Sequence, residues 1–333
     1  MEKIDFVIAW VDGGDPEWLQ EKAKYDSSVD ITQDIIDARY RDWDNLQYWF
    51  RAVERYAPWV NKIHFLTWGH IPSWLNTKNP KLHIVNHKDY IPAEYLPTFN
   101  SHTIELNMHR IPGLSEHFVY FNDDMFLTND VKETDFFVNG LPCDTFALDA
   151  IYFEKNSAGA YNGNDLEIIN KHFKKDEMQK KYFWKKWFKL RYGLKNLYRT
   201  LVLSKWHWFP GFHYDHLPSS FLKSTLEEVW EKEYEVLHET CLDKFRSKRN
   251  VNQWLFKYWN LATGKFHPRK ADFGRCFHLK DKISEGLRDS IENKKFHMVC
   301  INDTANTTNF EEHKKVVNSS FDKVLPNKSS FEL

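Results

Sequence analysis

The sequence predicts an α/β fold: a mostly parallel sheet flanked by helices, with a helical insertion. Three observations carry this. Strand-like and helix-like segments alternate through the first half of the chain. The apolar run Phe118–Phe121 ends in Asn122-Asp123-Asp124, at the strand end where open α/β sheets hold ligands. From about Lys174 to Trp208 the composition turns basic and aromatic, which sets that stretch apart.

Strands are predicted at Asp5–Val11, Lys62–Thr67, Leu82–Val85, Phe118–Phe121 and Thr145–Phe153, with a last one at His297–Ile301. Between the first two, Leu46, Trp49, Phe50, Val53 and Ala57 recur at helical spacing, so a helix spans about Asp44 to Tyr56 and Pro58 ends it. A second helix runs from near Ser101 to Arg110, before Pro112-Gly113. Helical stretches follow at Ser219–Leu237, Val251–Leu261 and near Glu311–Phe321. The domain reading is residues 1–154 as the first part of the catalytic domain, 155–265 as the insertion, and 266–333 as the part that completes it.

With 333 residues the chain can build one large or two modest domains. Its 14 Trp, 15 Tyr and 26 Phe are a surplus that suits platforms for sugar rings, although most such rings are core. A net charge of −1 supplies no global attraction for polyanions, which argues against nucleic acid as a partner. Cys143, Cys241, Cys276 and Cys300 form no CxxC pair, no signal peptide is evident, and no apolar run reaches membrane-spanning length. Reduced thiols in the cytoplasm are the expectation.

The sharpest candidate site is Asn122-Asp123-Asp124. Adjacent carboxylates repel unless a cation or proton intervenes, and Mg²⁺ is commonly held by one or two carboxylates together with phosphates. A plain turn would not need the second Asp. Asp12-Gly13-Gly14-Asp15-Pro16, after the first strand, is a weaker signal, being either a ligand loop or a turn. Neither GxGxxG nor GxxxxGK[ST] occurs. Asp42-Trp43-Asp44 is better explained by helix capping. His102, Glu105 and His109 share one face of the predicted second helix and are either a site or a surface pair. His213, His216 and the cations near Lys248-Arg249 offer a general base and a phosphate clamp. Cys300-Ile301-Asn302-Asp303-Thr304 repeats the strand-then-acid pattern.

In order, these pieces resemble the Stealth family of sugar-1-phosphate transferases. Its members include bacterial capsular and exopolysaccharide phosphotransferases and the catalytic part of the animal enzyme that tags lysosomal proteins with GlcNAc-1-phosphate. Four blocks carry the likeness: Ile4–Pro16; Arg39-Tyr40-Arg41-Asp42 through Asn100–Arg110 to Asn122-Asp123-Asp124; His216-Leu217-Pro218 to about Tyr258; and Cys300-Ile301-Asn302-Asp303, with Phe331-Glu332-Leu333 also similar. The resemblance implies a Rossmann-like, GT-A-like sheet and transfer of hexose-1-phosphate from a nucleotide sugar of the UDP-hexose type to a hydroxyl of a glycan acceptor. It places the important acidic and basic positions on Glu105, Asp124, His216 and Arg249, with Arg246 and Lys248 close by. Inside the matching blocks, Trp10, Asp12, Gly13, Asp15, Arg41, Ser101, His109 and Asn122 are read as substrate contacts. Asp123, Asp124 and Asp303 are read as ligands of Mg²⁺ or Mn²⁺.

On this reading His216, or else Glu105, takes the acceptor proton. The β-phosphorus is attacked, and a phosphodiester forms in capsular or exopolysaccharide synthesis. The alternatives are a metal-dependent glycosyltransferase that releases a nucleoside diphosphate, and a non-catalytic carbohydrate-binding protein. Residues 174–208 hold 11 Lys or Arg against Asp176 and Glu177. They read either as a peripheral contact with the inner face of the cell membrane, near a lipid-linked acceptor, or as a solvated helical face.

Overall fold

A computed structural model describes residues 2–25, 41–153, 158–279, 285–303 and 309–333. Arg39, Tyr40 and Thr304 lie outside the described residues. The central sheet begins with β1 (Ile4–Ala9), flanked by β2 (Ile63–Thr67) and then β3 (Leu82–Asn86), all parallel. On its other side lies β4 (His117–Asn122), also parallel to β1, with Ala9 opposite Asn122. Strand order is β3-β2-β1-β4-β8, the last strand, β8 (Ser219–Leu222), being antiparallel to β4.

These strands read as unbroken apolar runs because both faces of the sheet are covered. The period-2 alternation sorts side chains into two cores. Phe6, Ile8, Phe65, Val119 and Phe121 pack on one face. Val7, Leu66, Phe118 and Tyr120 pack on the other. After β1, Asp15 accepts the Trp18 N–H at 2.8 Å to start α1 (Pro16–Ala23), with Pro16 at its first turn. The first core is then closed by α2 (Leu46–Tyr56), whose Trp49, Phe50 and Val53 are buried as the helical spacing predicts. The chain continues through α3 (Ser101–Leu106) into β4 and β5 (Met125–Leu127).

A small sheet of β6 (Phe137–Val138), β7 (Leu141–Asp144) and β9 (His267–Pro268) follows. The second core is covered by α4 (Gly159–His172), α7 (Lys223–Lys232), α8 (Tyr234–Leu242) and α9 (Trp254–Thr263). Between α4 and β8 lie α5 (Lys175–Tyr182) and α6 (Gly193–Leu203). A third sheet sets β10 (Gly274–His278) parallel to β11 (Met298–Asn302), which pairs antiparallel with β5. The helices α10 (Glu285–Glu292) and α11 (Phe310–Val324) pack beside it.

The predicted mostly parallel α/β architecture is the one observed, with three local departures. Thr145–Phe153 is no strand; its one β-contact is an isolated bridge from Leu148 to Phe212. Its Phe146 is buried by stacking 4.8 Å from Trp187, while Tyr152 and Phe153 are exposed. Ser219–Leu222 is strand rather than helix, because the exposed edge of β4 offers it a ladder. The stretch 155–265 therefore supplies one strand of the central sheet as well as helices. The helix from Ser101 stops at Leu106, where Asn107 turns its side-chain amide back onto the Thr103 carbonyl at 2.8 Å, and a 3₁₀ turn takes over at Met108–Arg110.

One polar cluster sits inside the sheet. Asp5 is fully buried and accepts from Asn61 Nδ2 at 2.6 Å and the Ser115 N–H at 2.8 Å, with His64 Nε2 3.2 Å away. Burial alone would raise its pKa, but these bonds outweigh it and hold the carboxyl below its ordinary range. Asp5→Ala strands the buried partners without an acceptor. We expect a loss of about 3 kcal/mol in denaturant unfolding at neutral pH, shrinking as acid protonates Asp5 in the wild type.

Candidate active site

Sheet topology brings the candidate residues together. β4 carries Asn122, Asp123 and Asp124 out of the C-terminal edge of the sheet. Because β8 runs antiparallel to β4, with Tyr120 opposite Ser219, the residues just before β8 lie alongside this same end. His216 thus reaches Asp124, its Nε2 3.6 Å from Oδ2. From the other side, β11 donates the Ile301 N–H to the Asp124 carbonyl at 2.8 Å, and the Cys300 thiol donates to Oδ2 at 3.2 Å. Asp124, His216 and Cys300 have ligand atoms within 4.8 Å of one another.

The two oxygens of Asp124 differ. Oδ2 is occupied by His216 and Cys300, whereas Oδ1 is buried with no hydrogen-bond partner. Such an orphan oxygen is costly unless something fills its lone pairs. His216 is partly desolvated, which alone would lower its pKa; the Asp124 carboxylate overrides this and raises it. Asn122 Nδ2 also approaches His216 Nε2, at 3.3 Å. The imidazole is therefore held at Nε2, and its Nδ1 has no hydrogen-bond partner among the described residues. Asp123 is exposed beside them; crowding by the surrounding chain first, and the Asp124 charge second, raise its carboxyl.

Behind this edge lies a buried polar layer. Glu105 is 5 % exposed and accepts from the Tyr120 hydroxyl at 3.4 Å. Desolvation pushes it up to about 7, opposed by the Arg246 and His216 charges. The Arg246 Nε donates to Ser101 Oγ at 3.0 Å. Asn100 places both groups: its Oδ1 accepts the His102 N–H to begin α3, and its Nδ2 bonds Asn250 Oδ1 and the Asp243 carbonyl. Asp165, fully buried on α4, accepts the Asn252 N–H at 3.1 Å, and desolvation raises its carboxyl well above the ordinary range.

Several predicted site residues stand elsewhere. Arg249 is exposed and pairs with Asp243, its Nε 2.9 Å from Oδ2; the arginine beside Glu105 is Arg246, three residues earlier on the same loop. Ser101 is taken up as the acceptor for Arg246. His109 lies past the end of α3, packed against Trp230 at 5.8 Å, and burial pushes its imidazole down to about 3, so it is neutral core. Asp12 and Asp15 satisfy their own turn: Asp12 Oδ1 accepts the Gly14 N–H at 2.9 Å, and Asp15 caps α1. Gly13 sits in that turn, His70 accepts the Asp12 N–H at 2.8 Å, and Trp10 meets the His70 ring edge at 5.2 Å. Asp42 closes a turn onto the Asp44 N–H, while Asn45 stands at the start of α2.

Asp123 and Asp303 are not in the three-donor cluster, so the predicted Asp123, Asp124 and Asp303 ligand set is not assembled as such. Asp303 nevertheless has both oxygens buried without hydrogen bonds, and its nearest cation is Arg41 at 3.6 Å. Cys276 and Cys300, paired in register on β10 and β11, went unassigned by sequence reasoning, since isolated cysteines carry no signal. Next to the cluster, Lys257, Arg269, Lys270 and His213 line a cleft of mixed charge with Asp144, Asp215, Leu217, Gly274 and Met298, Lys257 being paired with Asp144 at 3.1 Å. Gly274 permits this approach, for a Cβ there would lie 2.6 Å from Met298 Cγ.

Glu105 gives a pH test. Its folded pKa lies above the ordinary 4.5, so its stabilising contribution is complete below that value and is lost as pH rises through about 7. Glu105→Gln should therefore gain on the wild type across that window, by up to about 3 kcal/mol, in thermal unfolding measured at several pH values.

Comparison with known proteins bears on this site. Stealth protein conserved region 1 matches residues 2–30 and conserved region 2 matches residues 39–143. The capsular polysaccharide phosphotransferase WcwK of Streptococcus pneumoniae is 43% identical over 333 residues, covering 100% of this chain and 98% of the relative. The receptor polysaccharide phosphotransferase WefC of Streptococcus oralis is 42% identical, with both chains covered in full. The exopolysaccharide phosphotransferase cps2G of Lactiplantibacillus plantarum is 39% identical over 99% of this chain and 96% of its own. Among solved structures, the galactosyltransferase LgtC aligns over 95% of both chains, at 11% identity and a TM-score of 0.39, too distant to inform the site. Full-length similarity at this level, with both conserved regions in place around Glu105 and Asp124, makes this chain an enzyme of the Stealth family of polysaccharide phosphotransferases.

Proposed function

We propose that this enzyme transfers hexose-1-phosphate from a nucleotide sugar to a hydroxyl of a glycan acceptor, forming a phosphodiester during capsular or exopolysaccharide assembly. The observation that carries the reading is Asp124, with His216 on one oxygen and the other oxygen buried and unclaimed. That pairing gives a proton acceptor and an unfilled cation ligand at one sheet edge, which is what transfer of a phosphoryl centre needs.

In this reading the acceptor hydroxyl gives its proton to His216 Nδ1. Asp124 holds the ring at Nε2, and its charge stabilises the imidazolium that forms. The acceptor oxygen bonds to the β-phosphorus as the bond to the leaving nucleoside monophosphate breaks. Arg246, beside Glu105, offers the planar fork suited to phosphate oxygens. Glu105, with a pKa near neutrality, can exchange a proton at physiological pH.

The donor set suits a hard divalent cation, Mg²⁺ or Mn²⁺. Asp124 Oδ1 and the two oxygens of Asp303 are buried acceptors without hydrogen bonds, Arg41 lying 3.6 Å from Asp303. Burial holds Cys300 as a protonated thiol, a donor rather than a ligand. Asp124 and Asp303 would hold the cation, which when bound neutralises charge on the pyrophosphate. In the adjoining cleft, Arg269, with Nε and Nη1 buried without hydrogen bonds, is suited to an anionic part of a substrate.

The released nucleotide tests the chemistry. Incubated with a panel of nucleotide sugars, a glycan acceptor and Mg²⁺, the enzyme should release a nucleoside monophosphate. Release of a diphosphate would instead identify glycosyl transfer. Asp124→Ala and His216→Ala should fold and lose at least about 10²-fold in turnover. Arg246→Ala should lose far more activity than Arg249→Ala; equal losses in steady-state assays would return the phosphate clamp to Arg249.

A further inference from the structure

An amphipathic helix normally turns its apolar stripe inward. α6 does the opposite. Leu194, Tyr198, Leu201 and Val202 recur at i, i+4, i+7 and i+8 on one face and are 82%, 71%, 51% and 52% exposed. Just before and after the helix, Leu190, Trp206 and Trp208 are also exposed. The opposite face is already committed: Leu197 and Thr200 are buried, and Thr200 Oγ1 accepts the Leu148 N–H at 3.1 Å. The chain beyond is pinned by the buried Lys175, whose ammonium donates to the Ser204 carbonyl at 2.7 Å and to the Trp206 carbonyl. Rotating the stripe inward would break these bonds. A bond of 3.3 Å from the Ile151 N–H to the Pro210 carbonyl brings exposed Tyr152 and Phe153 alongside the same segment.

The charge of this segment is mostly positive, Asp176 and Glu177 being its acids and Asp176 being paired with His207. Lys180, Lys181, Lys185, Lys189, Lys195 and Lys205 have no acidic partner within ion-pair distance among the described residues, and five of the six are exposed. Scattered surface leucines need no explanation, but a contiguous apolar stripe rimmed by unpaired lysines and flanked by tryptophans does. That combination fits an anionic lipid interface, where apolar side chains enter the acyl boundary, indole rings sit at headgroup depth and lysines meet lipid phosphates. No helix among the described residues is long and apolar enough to cross a membrane, so the contact would be peripheral. We propose that α6 and its flanks dock this enzyme in-plane on an anionic bilayer surface, independently of the chemistry at Asp124.

The test is co-sedimentation of the full chain with vesicles of phosphatidylcholine alone or mixed with phosphatidylglycerol, at low and high salt. Binding should require phosphatidylglycerol and weaken with salt. Lys185→Glu/Lys195→Glu/Lys205→Glu should weaken it at least about tenfold. Leu194→Ser/Tyr198→Ser/Leu201→Ser should do the same, with the wild-type circular dichroism spectrum retained by these surface changes. The proposal is overturned if the wild type binds neither vesicle, binds both equally, or binds unchanged in either triple variant. It is equally overturned if the stripe instead drives self-association, seen as a mass that falls in the serine variant without lipid.

Discussion

β4 is the constraint on which the rest of the molecule depends. It is paired on both edges, parallel to β1 and antiparallel to β8, and buried on both faces. A strand so enclosed cannot slip by one residue without moving its whole apolar set to the wrong core. The place where the run Phe118–Phe121 ends is therefore fixed against two other strands, and the carboxylates that follow emerge at one defined point. The groups in contact at the site are reached from there: His216 through β8, Cys300 through β11, and Glu105 through the Tyr120 hydroxyl.

That position sets the electrostatics. A carboxylate with one oxygen satisfied by an imidazole and a thiol, and the other satisfied by nothing, is poised between structure and function. The histidine is tied at Nε2 and left open at Nδ1, so its charge state and its direction are set by the same neighbour. Behind it, Glu105 and Asp165 are carboxyls whose burial favours the neutral form. The polar layer is thus graded, with the charge partly exposed at the sheet edge and protons held in the interior. Such a gradient suits a centre that accumulates negative charge during reaction, because opposing charge is kept out of the interior until a cation and substrate arrive.

The family assignment and the geometry support each other from different directions. Relatives of similar length are named polysaccharide phosphotransferases, and the conserved-region matches cover the first two sequence blocks. Neither says which arginine faces Glu105. The 243–250 loop settles that locally, because Asp243 draws Arg249 to the surface while Asn100 and Ser101 draw Arg246 inward. The family pattern alone left both arginines open; the hydrogen bonds of α3 separate them.

The sequence by itself determined the elements whose pattern is written in local side chains. The parallel strands are legible as doubly buried apolar runs, α2 as a helical stripe, and Asp124 as an acid at a strand end. It also determined that residues 174–208 are basic and aromatic. The tertiary structure decided what depends on distant partners. Ser219–Leu222 became a strand only because β4 had a free edge. Thr145–Phe153 did not: its backbone meets 210–213 at an isolated bridge, Phe146 stacks on Trp187, and Tyr152 and Phe153 stay exposed. His109 left the helical face because α3 ends at Leu106, four residues early, where the Asn107 amide turns back onto the Thr103 carbonyl. Periodicity records which side chains avoid water. It does not record which neighbour covers them, and for the ligands of a site and the outward stripe of α6 that neighbour is the whole of the question.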